Sequence, residues 1–176
     1  MKIKIREEKT SDYKTVFFLV EKAFRDVKES DHTEQILVSK LRRSSSFIKK
    51  LSLVAEVDNK VVGHILLSKV QINDTNKSFE SLALAPVCVL PTYQKKGIGK
   101  DLILASHEIA KEMGFKSVVL IGHATYYLKF GYKLAKEFDI KFPFKKIPKE
   151  NCLVKELVKN GLKDVKGMVI YPKEFS

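Results

Sequence analysis

The sequence predicts a mixed α/β fold, and two features lead to that prediction. Short β-rich runs alternate with segments of helical periodicity along the whole chain. A long apolar run, SLALAPVCVL, has the character of a central strand that is covered on both faces. The chain of 176 residues is long enough for one hydrophobic core, so we expect a single domain over residues 1–176.

The first half of the chain contains a strand, two helices and a hairpin. MKIKIR alternates as a half-buried strand does, and YKTVFFLVEKAF carries helical periodicity to about Asp26. A second helix is expected to begin at Ser30 or Asp31, with an apolar stripe formed by Ile36, Leu37 and Leu41. The runs LSLVAEV and VVGHILLSKVQI flank a turn at Asp58, Asn59 and Lys60, which predicts an antiparallel hairpin.

The second half predicts further strands separated by helices. QINDTNKSFE, residues 71–80, is interpreted as a polar loop before the central strand. A helix is expected from Ile98 to Met113 and ends at Gly114, and HATYYLKF forms a short helix that ends at Gly131. The remaining predicted strands are KSVVLI, YKLAKEFDI, CLVKELV and VKGMVIYP.

Composition narrows the functional classes. The net charge of +12 favours anionic partners, but the lysines are spread along the chain without a block of five or six like charges. No apolar run reaches the roughly 18–20 residues of a membrane helix, and the N-terminal segment lacks the apolar stretch of a signal peptide. Cys88 and Cys152 form neither a CxxC pair nor a zinc pattern. We expect a cytoplasmic protein without a metal and without a membrane partner.

A glycine turn precedes the helix at Ile98, in the pattern Q-x-x-G-x-G from Gln94 to Gly99. It is not a Walker P-loop, because Asp101 stands where that motif requires Ser or Thr, and Leu102 replaces the third glycine of a dinucleotide fingerprint. Glycines here would let main-chain N–H groups and the helix dipole approach a pyrophosphate. Lys95, Lys96 and Lys100 add positive charge.

Two segments carry a resemblance to a known family. VCVLPTYQKKGIG, residues 87–99, resembles motif A of the GNAT superfamily of N-acetyltransferases, and GHATYYLKFGY, residues 122–132, is similar to its motif B. The hairpin around Val61–Ile65 resembles the usual second and third strands of that superfamily, and the tail from Gly167 to Phe175 resembles the end of a bacterial subgroup of predicted N-acetyltransferases.

The resemblance implies a fold and a co-substrate. The implied fold is a mixed central sheet of about six to seven strands, flanked by helices, with splayed central parallel strands. The implied co-substrate is acetyl-CoA, whose pantetheine would pair with the strand at Val87, Cys88 and Val89. The pyrophosphate would lie against the main chain of the turn, whose residues are Gln94, Lys95, Lys96, Gly97, Ile98, Gly99 and Lys100.

Tyr127, four residues before Gly131, falls on the tyrosine that the superfamily uses as general acid for the departing thiolate. Two positions depart from the family pattern. Ala83 stands where many relatives carry a glutamate base, and Ile121 stands where many carry an asparagine that contacts the cofactor. Glu80, three residues before Ala83, should face the other side of the strand.

The proton acceptor for the amine therefore stays open among Glu80, His64, His123 and a water relay. His64 and Cys88 are expected to be core residues, and the loop phenylalanines Phe142 and Phe144 are expected to pack.

The predicted function is acetyl transfer from acetyl-CoA to a primary amine of a small molecule or peptide in a ternary complex, with a homodimer as a possible assembly. A coenzyme A sensor without turnover is one alternative, and a nucleic-acid-binding protein is the second, supported by net charge alone.

Overall fold

A computed structural model describes residues 1–176 as nine strands and four helices joined by short turns. The helices are α1 (Tyr13–Phe24), α2 (Glu34–Leu41), α3 (Ile98–Glu112) and α4 (Ala124–Tyr127). The strands are β1 (Ile3–Glu7), β2 (Ser52–Val57), β3 (Lys60–Asn73), β4 (Ser78–Val89), β5 (Ser117–Ile121), β6 (Lys133–Leu134), β7 (Ile140–Lys141), β8 (Cys152–Glu156) and β9 (Gly167–Ile170). No helix combines the length and apolar character needed to span a bilayer.

Seven strands form one continuous path in the sheet, in the order β1-β2-β3-β4-β5-β8-β6, and β9 pairs with β3 and β7. The sheet is mixed, because β4–β5 and β7–β9 are parallel whereas β1–β2, β2–β3, β3–β9, β5–β8 and β6–β8 are antiparallel. The predicted α/β fold with a mixed central sheet is therefore confirmed. The ladder between β4 and β5 consists of two residue pairs, Leu82 with Val118 and Ala83 with Val119.

The chain divides into two compact units, each with its own packing. The first comprises residues 1–68 and 85–109, where Val16, Leu19 and Val20 of α1 pack with Val54 and Cys88. The second comprises residues 69–84 and 110–176. Its core is a cluster of ten buried side chains: Val70, Ile72, Ala83, Val119, Ala135, Ile140, Cys152, Val154, Leu162 and Val169. The single domain expected from the sequence stays a prediction.

The prediction for the second helix was wrong at its start. α2 begins at Glu34, because His32 adopts a left-handed φ of 62° and the Asp31 carboxylate accepts from the Thr33 N–H at 3.0 Å. The predicted apolar stripe was also wrong in part. Leu41 is fully buried, but Ile36 is 43% exposed and Val38 occupies the core instead.

Residues 71–80 are mostly strand rather than the predicted loop. β3 continues to Asn73 and β4 begins at Ser78, so only residues 74–77 connect them. Polar side chains bond across the two strands, since the Ser78 hydroxyl lies 2.7 Å from Asn73 Oδ1 and 3.0 Å from Gln71 Oε1. The polar residues of this segment therefore belong to paired strands and not to a loop between them.

YKLAKEFDI does not form the single strand that was predicted. Two short strands, β6 and β7, flank a 3₁₀ turn at Ala135–Phe138. The Glu137 carboxylate accepts the Leu134 N–H at 3.0 Å, and Asp139 has a φ of 54°. The strand is interrupted here because the Glu137 side chain accepts the Leu134 N–H, which is then not available to a neighbouring strand.

Candidate functional site

The glycine turn leads from β4 into α3 and leaves open space around its first glycine. Gly97 has a φ of +85°, a conformation that favours glycine, and Lys95 has a φ of 59°. A Cβ atom built on Gly97 would meet no other atom within 4 Å. Packing within the protein would therefore leave room for a side chain at this position. The left-handed backbone conformation is what favours glycine here.

The first turn of α3 presents main-chain donors beside that space. The first helical hydrogen bond runs from the Asp101 N–H to the Gly97 carbonyl at 3.0 Å. The N–H groups of Ile98, Gly99 and Lys100 precede it, and a helix offers no acceptor to its first donors. Free donors at the positive end of a helix dipole can bind a phosphate.

The lysines around the turn are exposed. Lys95, Lys96 and Lys100 form no ion pair, and the Lys96 ammonium lies 5.2 Å from the centre of the Tyr93 ring. Gln94 is also exposed, but its side-chain amide donates to the Val89 carbonyl at 3.1 Å. Gln94 therefore ties the turn to the end of β4, whereas the lysines are free to meet an anion.

The end of β4 alternates as a strand between two environments. Cys88 is buried and packs with residues of α1 and β2, while Val87 and Val89 on the opposite face are only partly buried. Burial raises the pKa of the Cys88 thiol to about 12. This confirms the expectation that Cys88 is a buried structural thiol, so a role in binding would use its backbone.

Gly63 in β3 sets how closely α3 approaches the sheet. A Cβ on Gly63 would lie 3.0 Å from Leu102 Cδ1, 3.1 Å from Ile98 Cγ2 and 3.3 Å from the Cys88 carbonyl oxygen. A side chain there would push the start of α3 outward. The sequence alone predicts Gly63 only as part of a hairpin, because the side chains that pack against it come from α3, far along the chain.

Tyr127 ends α4 in the second unit, within a cluster of aromatic rings. Its ring centre is 4.9 Å from that of Tyr126, 5.8 Å from that of Tyr132 and 6.5 Å from that of Phe130. Burial raises the pKa of Tyr127 well above its usual value, so the phenol keeps its proton at neutral pH.

Gly122 supports the Tyr127 ring. A Cβ on Gly122 would lie 2.5 Å from Tyr127 Cε2 and 3.0 Å from Cδ2, so the ring occupies the space that any other residue would need. The Gly122 N–H donates to the Asn151 carbonyl at 2.9 Å, which anchors this position on the second unit. Gly122 lies in the second motif, but the sequence alone did not indicate that it makes room for the Tyr127 ring.

The candidate proton acceptors differ in exposure. Glu80 and His123 are exposed, and Ala83, at the position of the missing glutamate, is buried in the core. His64 is fully buried, and burial together with the charge of Arg42 lowers its pKa to about 3. A histidine with that pKa is too weak a base for an ammonium group, so His64 is a core residue as expected.

His64 belongs to a buried polar network that sequence reasoning missed. Arg42 forms an ion pair with Glu8, and the Ser52 hydroxyl donates to Glu8 Oε2 at 2.7 Å. His64 Nε2 lies 3.3 Å from the Ser52 hydroxyl and 3.7 Å from Glu8 Oε1. Because Arg42 already neutralises Glu8, this carboxylate does not hold His64 in its charged form.

No group of three or more His, Cys, Asp or Glu side chains is arranged to hold a metal ion. The fold and the glycine turn together define a class of α/β proteins in which a helix with free N-terminal donors follows the end of a central strand. A family model for the acetyltransferase (GNAT) domain matches residues 4–135. The chain belongs to the GNAT family of acetyltransferases.

Two solved structures share this fold over nearly the whole chain. The GNAT-family N-acetyltransferase YhbS of Escherichia coli, in complex with CoA, is 27% identical with a TM-score of 0.88, and the match covers 99% of this chain and 92% of that one. A GNAT-family acetyltransferase of Brucella melitensis, in complex with acetyl-CoA, is 31% identical with a TM-score of 0.81 over 99% of both chains.

One curated relative is similar over part of its length. The uncharacterized N-acetyltransferase YjhQ of Escherichia coli (strain K12) is 38% identical over 112 residues, which are 64% of this chain and 59% of that protein. The match therefore spans less than two thirds of YjhQ.

Proposed function

We propose that this protein is an acetyl-CoA-dependent N-acetyltransferase, which moves an acetyl group directly to a primary amine within a ternary complex. The observation that carries the proposal is the set of free main-chain donors at Ile98, Gly99 and Lys100, beside an open turn. Two relatives of the same fold were crystallised with CoA or acetyl-CoA.

The turn would bind the pyrophosphate of the co-substrate through its backbone. The residues would be Gln94 to Lys100, with the free N–H groups at the start of α3 as donors and the three lysines as a surrounding positive field. The empty space at Gly97 supports this role, because an anion can approach the main chain there without meeting a side chain.

The end of β4 would hold the pantetheine arm. The β4–β5 ladder stops after Ala83, and Val87, Cys88 and Val89 remain in extended conformation beyond it. Extended backbone without a ladder partner can pair with the amides of a ligand as another strand would. The N–H of Val89 would donate to the thioester carbonyl oxygen, on which negative charge develops during transfer.

Tyr127 would donate a proton, or a strong hydrogen bond, to the departing thiolate. Acetyl-CoA supplies the thioester whose acetyl carbon the amine attacks. The raised pKa of Tyr127 keeps the phenol protonated until it is needed. The amine proton leaves through solvent, Glu80 or His123, since the buried His64 is too weak a base.

A coenzyme A sensor without turnover is the second candidate, and one observation favours it. The core position Ala83 carries no carboxylate where many relatives have their base. The sensor would bind acetyl-CoA through the same turn but release no CoA in the presence of amines.

An amine panel with a free-thiol readout tests the proposal. The protein is mixed with acetyl-CoA and with single primary amines that include polyamines, amino acids and short peptides. Thiol release that needs both the protein and one amine, with the acetylated amine identified by mass spectrometry, supports the transferase. Calorimetric binding of acetyl-CoA with no amine-dependent thiol release supports the sensor, and no binding at all contradicts both.

A further inference from the structure

A cavity of about 440 Å³ opens between α1 and α2 in the first unit, and its lining includes none of the residues assigned to acetyl-CoA. Three aromatic side chains of α1, those of Tyr13, Phe17 and Phe18, form its walls together with Ser39 of α2. The volume falls in the range of about 300–1,000 Å³ that is typical of small-molecule sites.

The aromatic walls are open to a ligand. Phe18 is 55% exposed, although it is a large apolar side chain, and its ring stacks edge-on against Phe17 with centroids 5.7 Å apart. One exposed phenylalanine is ordinary on a protein surface. Its place in the wall of a cavity, next to two further rings, provides a surface on which a flat apolar group can pack.

The charged groups of the cavity all have one sign. Lys14, Arg42 and Arg43 line it mainly with their apolar stems, and no acidic residue lines it. Two acids close to these residues in the fold or the sequence are already paired, since Glu8 binds Arg42 and Asp12 binds Arg6 at 2.7 Å. Lys14 and Arg43 are exposed and form no ion pair, so their charge is left for a ligand.

Arg42 shapes the site instead of supplying free charge. Its side chain is 6% exposed, its charge is balanced by Glu8, and its guanidinium lies 3.9 Å from the centre of the Tyr13 ring. These contacts hold both the arginine and the tyrosine wall in one position. The cavity is therefore pre-formed on one side, with exposed cations at its rim.

We infer that the cavity between α1 and α2 binds a small molecule that combines a flat apolar group with a carboxylate. The apolar group would pack on Phe17, Phe18 and Tyr13, and the carboxylate would pair with Arg43 and Lys14. A cationic ligand of the same shape would be repelled. Binding in the absence of acetyl-CoA would report this site independently of the proposed transferase activity.

The test uses three probes of one shape: 3-phenylpropionate, its neutral amide, and 3-phenylpropylamine. Binding to the full chain is measured without acetyl-CoA by saturation-transfer NMR and by titration of protein chemical shifts. The carboxylate should bind most tightly and should weaken as salt rises, because the cations at the rim are exposed. Equal binding of the acid and the amine would overturn the inference, as would a failure of the acid to bind.

Matched variants locate the binding. Arg43→Gln should weaken 3-phenylpropionate by roughly twofold to fivefold, the range expected for an exposed charge pair, and Arg25→Gln at the exposed end of α1 should not. Phe18→Ala should weaken all three probes, whereas Ile36→Ala, at a residue that is 43% exposed on α2 outside the cavity, should not. Wild-type affinity for the acid in both Arg43→Gln and Phe18→Ala would contradict the assignment.

Discussion

At the scale of single residues, two adjacent tyrosines have different environments. Tyr126 is 37% exposed, and the Lys129 ammonium lies 4.1 Å from its ring centre. Tyr127 lies among three other rings and over Gly122, where the pKa of its phenol is raised by burial. In the sequence, only the motif spacing distinguishes Tyr127 from Tyr126. In the structure, their packing also distinguishes them.

Tyr127→Phe tests the proposed proton donor. The substitution keeps the ring and its packing but removes the hydroxyl, so kcat should fall by roughly 10²–10⁴-fold. Acetyl-CoA affinity should change little, because the bond strengthens only as charge develops on sulfur. Steady-state kinetics with an amine from the panel and calorimetry provide the two measurements. Tyr126→Phe is the control, and equal kcat in wild type and Tyr127→Phe would leave Tyr127 a packing residue.

Gly122→Ala tests whether Gly122 holds Tyr127 in place. The added Cβ meets the ring at 2.5 Å, so the phenol must move and kcat should fall by roughly tenfold or more while acetyl-CoA binding persists. The loss should not add to that of Tyr127→Phe, since both changes remove the same group from its position. Kinetics on the double variant measure this, and additive losses would show that Gly122 acts elsewhere.

At the scale of elements, the start of α3 combines an anion site with close packing. Ile98 is 1% exposed and anchors the helix, while Gly99 and Lys100 beside it are more accessible. The side chains of Ile98 and Leu102 lie 3.0–3.1 Å from the place that a Cβ on Gly63 would take, so the helix packs directly on β3. The site therefore depends on where the whole helix lies, and on the absence of side chains at Gly97 and Gly99.

Gly99→Val should abolish acetyl-CoA binding while the fold remains. The branched side chain would stand beside the main-chain donors and keep the pyrophosphate from reaching them. Calorimetry measures the binding, and the circular dichroism spectrum checks the fold. Ala105→Val, at a partly buried position later in the same helix, should bind normally. Affinity near that of wild type in Gly99→Val would contradict the pyrophosphate site.

Replacing Lys95, Lys96 and Lys100 by glutamine should flatten the salt dependence of CoA binding. The lysines are exposed and unpaired, so their attraction to phosphate is screened as ionic strength rises. Affinities at several salt concentrations give the slope. Glutamine at Lys159, Lys163 and Lys166 removes the same charge from another exposed segment and serves as the control. An unchanged slope in the turn variant would mean that main-chain donors act without these lysines.

At the scale of the whole molecule, buried polar networks connect parts of the chain that are far apart in sequence. Glu8, Arg42, Ser52 and His64 join the end of β1 and the end of α2 to β2 and β3. Arg6 bridges Asp12 and Glu56 at 2.7 and 2.6 Å, and its guanidinium lowers the pKa of Asp12. Such groups make the stability of the protein depend on pH.

His64 predicts a loss of stability below about pH 6.5. The folded protein keeps His64 neutral, with a pKa of about 3, whereas the unfolded chain takes up the proton near pH 6.5. The unfolded state thus binds more protons, and the free energy of unfolding falls as pH drops, by up to about 1.4 kcal/mol per pH unit. The contribution of Asp12 has the same sign but is lost only near and below its ordinary pKa of 3.8.

Urea unfolding between pH 7 and pH 4.5 measures this slope. His64→Gln should flatten it by about one proton, and His123→Gln, at an exposed histidine, should not. An NMR titration of the His64 ring offers a second measurement that does not require a variant. A ring that takes up its proton near pH 6 in the folded protein would contradict the prediction.

Local pattern was enough for most of the architecture. The sequence predicted α1, α3, the β2–β3 hairpin, β5 and the helix ends at Gly114 and Gly131, because periodicity and turn chemistry depend on a few consecutive residues. The family resemblance likewise rested on two contiguous segments. These features determined the fold class and directed attention to the glycine turn and Tyr127.

Only the tertiary structure revealed what each site residue depends on. Gly63 matters because of Ile98 and Leu102, and Glu8 is stabilised by an arginine 34 residues later in the chain. The strand pairing that absorbed residues 71–73 likewise comes from β9, near the end of the chain. Contacts between distant segments leave no periodic trace in either one, so their presence was decided by packing and not by local sequence.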